Sequence, residues 1–261
     1  MAKKLASLYT LGFTSYHQQL YIDALDYLTC ATLIEERSHG NKSKCYSQAQ
    51  LRLAHICDLV GEPDLCAYHL EKSDTSEALY LTSMNLYENE KTRAFKMMLR
   101  AIEYPLATRQ LGLWALESND AVAALEFFSM AARNGDIYSW KQVCNMSQNG
   151  IGVEVVKEDD KFMLDLRVQA AVAGDEESLV WLYHHCIKIS CPCKGKKNLL
   201  LAATRLGSTS AMGSLGKYLL IHGTQNDISE ALLWLFRSCM INKQSTRSKF
   251  TLGVAILLLT K

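Results

Sequence analysis

The sequence predicts an all-α fold, a right-handed α-solenoid of antiparallel helix pairs, and three observations predict it. A short phrase, A-x-x-x-L-G or a near variant, returns every 29 to 42 residues. Self-similarity at such a period is the signature of a helical solenoid. Paired alanines followed by glycine precede several copies, as in Ala131-Ala132-Arg133-Asn134-Gly135, Ala170-Ala171-Val172-Ala173-Gly174 and Ala202-Ala203-Thr204-Arg205-Leu206-Gly207. Paired alanines let helices approach closely, and the glycine suits a left-handed C-terminal cap. Apolar residues recur at spacings of three and four, with almost no strand-like alternation.

The elements follow in order. Leu5–Tyr16, with the anchor Ser7–Leu11–Gly12, reads as a first helix. Tyr46–Val60, anchored at Ala49–Leu53–Ala54, pairs with Asp64–Lys72. Ala78–Thr82–Ser83 and then Ala107–Leu111–Gly112, one of the two clearest copies, open the next units. Asp120–Arg133 sets Val122, Leu125, Phe128 and Met130 on one face, with Asp120 as N-cap and Gly135 as the stop. The anchor Ser139–Val143–Cys144 precedes a loop at Gly150-Ile151-Gly152-Val153. Ser178–Leu182–Tyr183 follows, then the other clear copy, Ala211–Leu215–Gly216. Gly223 breaks that helix, Asp227 or Ser229 starts the next, and Leu232, Leu233, Leu235 and Phe236 form its apolar side. Ser248–Leu252–Gly253 opens a nearly all-apolar terminal helix, Phe250–Leu259.

The recurring glycine, at Gly12, Gly112, Gly216 and Gly253, has a physical reason. Glycine inside a helix costs about 1 kcal/mol relative to alanine, a cost accepted where a neighbouring helix must pass close. Ala54, Ser83 and Cys144 keep the position small; Tyr183 does not, so packing near residues 178–190 should differ.

Together these phrases resemble Sel1-like repeats, relatives of the tetratricopeptide family. That pattern runs roughly A-x-x-x-L-G-x-x-Y-x-x-G, a loop, then a helix with A-x-x-W/F and an A-A-x-x-G ending. Gly150-Ile151-Gly152-Val153 before Glu158-Asp159-Asp160-Lys161 resembles the family loop, and Ala231-Leu232-Leu233-Trp234 and Ala124-Leu125-Glu126-Phe127-Phe128 its second helix. The resemblance covers most of residues 76–253 and weakens over 1–75. The expected organisation is therefore degenerate N-terminal repeats over 1–75, then Sel1-like repeats over 76–261, in one continuous solenoid. About seven helix pairs and a last helix fit the length, at roughly 35 residues per pair.

Composition narrows the function. Lys and Arg number 28 against 27 Asp and Glu, so no basic excess points to nucleic acid. The short cluster Lys194-Gly195-Lys196-Lys197 reads as a solvated helix start. No run reaches the roughly 20 apolar residues needed to span a bilayer. Leu5–Tyr16 lacks the apolar core and cleavage site of a signal peptide, so a cytoplasmic location is expected. Nine cysteines at irregular spacing read as reduced thiols used as small core residues.

Candidate chemistry is sparse. His184-His185-Cys186 with Cys191-Pro192-Cys193 has the soft ligands zinc prefers, but the spacing fits no standard finger. Loop and core residues are the preferred reading there, with a metal or a redox-sensitive thiol pair as alternatives. His55, Cys57, Cys66 and His69 form a second set, in which residues 55 and 57 of one helix point about 200 degrees apart. No nucleophile elbow, phosphate loop, dinucleotide fingerprint or His-Glu-x-x-His motif is present. No enzyme, cofactor or metal is expected. Some Sel1-like proteins are linked to slow β-lactam hydrolysis, but this chain lacks their regular cysteine framework.

The aromatic residues point to binding. Solenoids usually hold other molecules rather than transform them, and the first helix of each pair lines the concave face. Tyr80, Tyr87, Trp114, Tyr138 and Tyr183 are the candidates for that face, with Arg109 and Lys141 supplying charge. The expected function is a non-enzymatic protein–protein interaction adaptor, holding a peptide or protein in its groove. The resemblance implies signalling, assembly or host-contact roles, often bacterial. The alternative is a dedicated binder, an immunity protein or chaperone that neutralises one toxin or effector, which the degeneracy of the repeats favours. Phe250–Leu259 either docks on the last pair or offers a surface for self-association.

Overall fold

A computed structural model describes residues 2–38, 42–154, 161–190, 195–224, 227–242, 249, 251–253 and 256. Among them are fourteen helices in seven successive pairs, grouped into two compact units, Met1–Asn134 and Gly135–Lys261. The first unit holds α1 (Ala2–His17), α2 (Tyr21–Arg37), α3 (Lys44–Val60), α4 (Pro63–Lys72), α5 (Ser76–Leu86), α6 (Lys91–Arg100), α7 (Pro105–Glu117) and α8 (Ala121–Arg133). The second holds α9 (Ile137–Asn149), α10 (Lys161–Val172), α11 (Glu176–Lys188), α12 (Lys196–Arg205), α13 (Thr209–His222) and α14 (Asp227–Ile241). Within each unit every helix packs on the one before and the one after.

The anchor residue occupies the third position of α5, α7, α9, α11 and α13, and the sixth of the longer α1 and α3. Thr75, Asp136, Asp175 and Ser208 are N-caps, and each side chain accepts from the backbone N–H of Ala78, Ser139, Ser178 or Ala211. Such a bond satisfies one of the donors that a helix start leaves unpaired. Where the anchor is serine, its hydroxyl also donates to the capping aspartate, as in Ser139 to Asp136 and Ser178 to Asp175. Ala49, Ala78, Ala107, Ser139, Ser178 and Ala211 are all wholly buried.

The turn that ends one helix begins the next. Gly174 and Gly207 have φ of +101° and +91°, in the left-handed region that favours glycine. Asp175 N–H then donates to Ala170 C=O, and Ser208 N–H to Ala203 C=O, closing the C-terminal turns of α10 and α12. The same Asp175 and Ser208 cap α11 and α13.

Glycine sets how closely the helices of a pair approach. A Cβ on Gly12 would lie 2.5 Å from Leu28, on Gly112 2.8 Å from Phe128, and on Gly216 2.6 Å from Leu235. The three glycine pairs, α1–α2, α7–α8 and α13–α14, make the most extensive contact; the Ala54 pair follows, and the pairs with Ser83, Tyr183 and Cys144 make less. Gly253 departs from the expectation, because a Cβ there would meet no atom of the described residues within 4 Å. Leu11 is 45% exposed although Leu53, Leu111 and Leu215 are buried, since none of the described helices packs on its outer side.

Close approach also corrects two expected faces. The buried side of α8 is Ala124, Phe128, Ala131 and Ala132, while Val122 and Met130 are exposed. That of α14 is Ala231, Leu235 and Ser238, while Leu233 and Phe236 are exposed. Each seam seats one large side chain against the glycine, Phe128 or Leu235, with small residues beside it, and the other large apolar neighbours turn outward. The expected boundary at 75/76 lies inside the first unit, where Leu51, Ala54, Leu70 and Ala78 share one cluster.

Candidate functional site

In the first unit, aromatic residues gather at the end of the α5–α8 stack. Tyr87 closes α5, and its ring lies flat on Trp114, with 4.1 Å between centroids and 5° between planes. The Tyr87 hydroxyl donates to Glu117 Oε2 at 2.8 Å, and Lys91 Nζ stands 5.2 Å from the centroid of the Tyr87 ring. Desolvation and the Glu117 bond push the Tyr87 phenol up. Trp114 is buried among Leu79, Met98 and Leu111, so it acts mainly as core. Beside the stack is a hollow of about 430 Å³, lined by Lys91, Phe95, Lys96 and Phe127 as well as the stacked pair. Its walls therefore include the second helices α6 and α8. Tyr80 lies half-buried against Tyr104, 5.6 Å between centroids, and Arg109 is half-buried on α7.

In the second unit, a hollow of about 490 Å³ runs between the first helices α11 and α13. Tyr183, His184, Ser214, Lys217, Tyr218 and His222 line it, and Ser238, Asn242 and Thr251 border it. Among the described lining residues there is no carboxylate. Tyr183 is buried, and its ring meets Tyr218 edge-on at 6.4 Å. Burial pushes the Tyr183 phenol up. Tyr138 is 40% exposed on α9.

Lys141 serves packing. Its ammonium bonds Glu176 and Glu177, each at 3.2 Å, and lies 3.9 Å from the buried Asp175. Burial pulls that ammonium down, but the two glutamates outweigh it and hold it up. Nearby, the buried Arg167 donates to Gln148 and lies 5.6 Å from the centroid of Trp181.

Among the described residues the possible metal sets do not assemble. His185 stacks on Trp181, while His184 lines the α11–α13 hollow. Cys191 and Cys193 lie outside the described residues. His55 is engaged by Tyr16, Arg52 and Glu77, and His69 by Gln50 at 2.6 Å. Among the described residues no three His, Cys, Asp or Glu side chains are arranged to hold a metal. No described helix is long and apolar enough to cross a membrane.

Phe95, Lys91, Lys217 and Tyr218 were not singled out from the sequence. Register offered a signal for one of them. Tyr218 stands seven residues after its anchor Ala211, as Trp114 does after Ala107.

No family model and no curated protein sequence matches the chain. Solved structures do. The chain is similar to c5321, a protective antigen of uropathogenic Escherichia coli with an SLR fold, at a TM-score of 0.73 and 20% identity over 95% of its length. It is also similar to a Sel1 repeat protein from Oxalobacter formigenes, at 0.60 and 16% over 88%, a match covering 96% of that protein. The fold is that of Sel1-like repeat proteins. The chain spans 56% of the length of c5321. At these identities the Sel1-like likeness establishes an α-solenoid architecture and leaves partners to be argued from this chain's own surfaces.

Proposed function

We propose that this Sel1-like protein is a non-enzymatic interaction adaptor that holds an extended peptide or protein segment along the first helices of its pairs. The α11–α13 hollow carries the reading. Lys217 is exposed and has no ion-pair partner among the described residues, beside Tyr218 and the hydroxyls of Ser210 and Ser214. A cation beside an aromatic ring and hydroxyl donors suits a peptide bearing carboxylates. Tyr138 and Tyr183 are candidate contacts on the first helices of the second unit, and Tyr80 and Arg109 on those of the first. The buried thiols of Cys57 and Cys144, paired in no disulfide, favour a reducing compartment, the cytoplasm.

The test is affinity purification of the tagged chain from its native cells, with mass spectrometry, beside Lys217→Glu and Tyr218→Ala. Partners retained by the parent and lost from both variants support the reading. Partners that stay equally with the variants, or none at all, count against it. A single partner in equal amount favours the dedicated-binder alternative, which the uneven anchors, small at Ala54 and bulky at Tyr183, already suggest.

A further inference from the structure

We propose that the hollow between α6 and α8 is a second recognition site, which seats an aromatic or long aliphatic side chain from an acidic peptide segment. The inference rests on the protein-binding reading above and names a chemistry for part of the partner. The site lies in the other unit and has a separate set of residues.

The floor is already organised. Tyr87 is fixed on one face by Trp114 and through its hydroxyl by Glu117. Little side-chain entropy remains to be lost there on binding, which is how rigid aromatic residues become energetic centres of interfaces. The walls are apolar and aromatic. Phe95 on α6 is 38% exposed, and Phe127 on α8 also lines the hollow. A volume of about 430 Å³ is within the range of pockets that enclose small ligands, and so has room for a large side chain.

Charge then selects what flanks that side chain. Lys91 and Lys96 line the hollow, both exposed, and neither has an ion-pair partner among the described residues. One carboxylate, Asp120, also lines the hollow, where it accepts from the backbone N–H of Ala123 as the N-cap of α8, and Glu117 accepts from Tyr87 beside it. The lining therefore carries two cations against one carboxylate, a positive excess around an apolar seat. An acidic residue beside the anchoring side chain supplies the missing charge, whereas a basic one is repelled.

The test is selection of a random dodecapeptide phage library on the full chain, after depletion on the Lys91→Glu/Lys96→Glu double variant. The lysines are exposed, so that variant should fold with an unchanged melting temperature. The expected outcome is enrichment of sequences pairing Phe, Tyr, Trp, Leu or Met with neighbouring Asp or Glu. A synthetic copy of the most enriched peptide should shift the indole N–H resonance of Trp114, identified by its loss in Trp114→Phe. Its affinity should fall about tenfold or more in the lysine variant and in Phe95→Ser, the scale of a central contact. Basic or uncharged consensus sequences, or equal affinity for the lysine variant, overturn the inference. Peptides captured only in the depletion step, and dependent on Lys217, overturn it while leaving the α11–α13 reading in place. A library with no binder in either the depletion or the selection step overturns both.

Discussion

Replacing Gly216 by alanine should cost more stability than replacing Gly112, although both sit at the same repeat position. A Cβ on Gly216 would lie 2.6 Å from Leu235 Cγ and 2.9 Å from the backbone oxygen of Ala231. A Cβ on Gly112 would meet only ring atoms of Phe128, at 2.8–3.0 Å. Overpacking costs about 1–3 kcal/mol. Alanine returns about 1 kcal/mol of helix propensity. The net is about 0–2 kcal/mol, and the position within that range depends on what must move. A ring can tilt, so Gly112→Ala should lose under about 1 kcal/mol. A helical carbonyl moves only with its helix, so Gly216→Ala should lose about 2 kcal/mol. For a chain of this size that is a fall of roughly 4–8 °C in melting temperature. Gly253→Ala, with no atom of the described residues within 4 Å of the added Cβ, is the control and should be neutral or slightly stabilising. Thermal unfolding followed by circular dichroism reads all three. If Gly216→Ala matched the parent, or Gly112→Ala lost more, close helix approach would not be the reason for these glycines.

Three further outcomes are expected. Asp175→Ala removes a wholly buried cap that holds Ser178 and faces Lys141, and should cost at least the roughly 1–2 kcal/mol of a lost N-cap, read by urea titration. Gln19→Gly relieves a non-glycine residue at φ +62° and should gain up to about 1 kcal/mol in the same assay. Burial alone would raise the Glu35 carboxyl, but bonds from Tyr9 and Ser43 outweigh it and hold it below its ordinary value. Its contribution is therefore present above the unfolded value and lost as pH falls through the folded one, so unfolding midpoints should drop below about pH 4 in the parent and less steeply in Glu35→Gln.

The pairing of helices was legible because it rests on local chemistry. Alanine at the anchor, glycine at the crossing and glycine after the paired alanines each have one dominant structural reason. The faces of α8 and α14 were less legible, because hydrophobicity marks Val122 and Phe236 as inward while the seam has room for one large side chain against the glycine, Phe128 or Leu235, among small ones. The candidate surfaces were mixed for a related cause. Trp114 and Tyr183 carry aromatic rings that satisfy both core and surface patterns, and only neighbours distant in sequence decide between them. Lys141 looked like a charge for a partner, yet Glu176 and Glu177, 35 and 36 residues away, already engage it. Phe95 and Lys91 sit on a second helix, where a reading centred on first helices does not look.

The dual role of Asp175 and Ser208 has a consequence for how the second unit comes apart. Each belongs to two helices at once, closing α10 or α12 and opening α11 or α13. Fraying of α12 releases the residue that holds the first turn of α13, and fraying of α13 frees the donor that closes α12. Neither can melt alone without raising the free energy of its neighbour. These joints also leave no slack to absorb an inserted residue, so tolerated length variation should fall instead in the longer connections, such as those between Asn149 and Lys161 or Lys188 and Lys196.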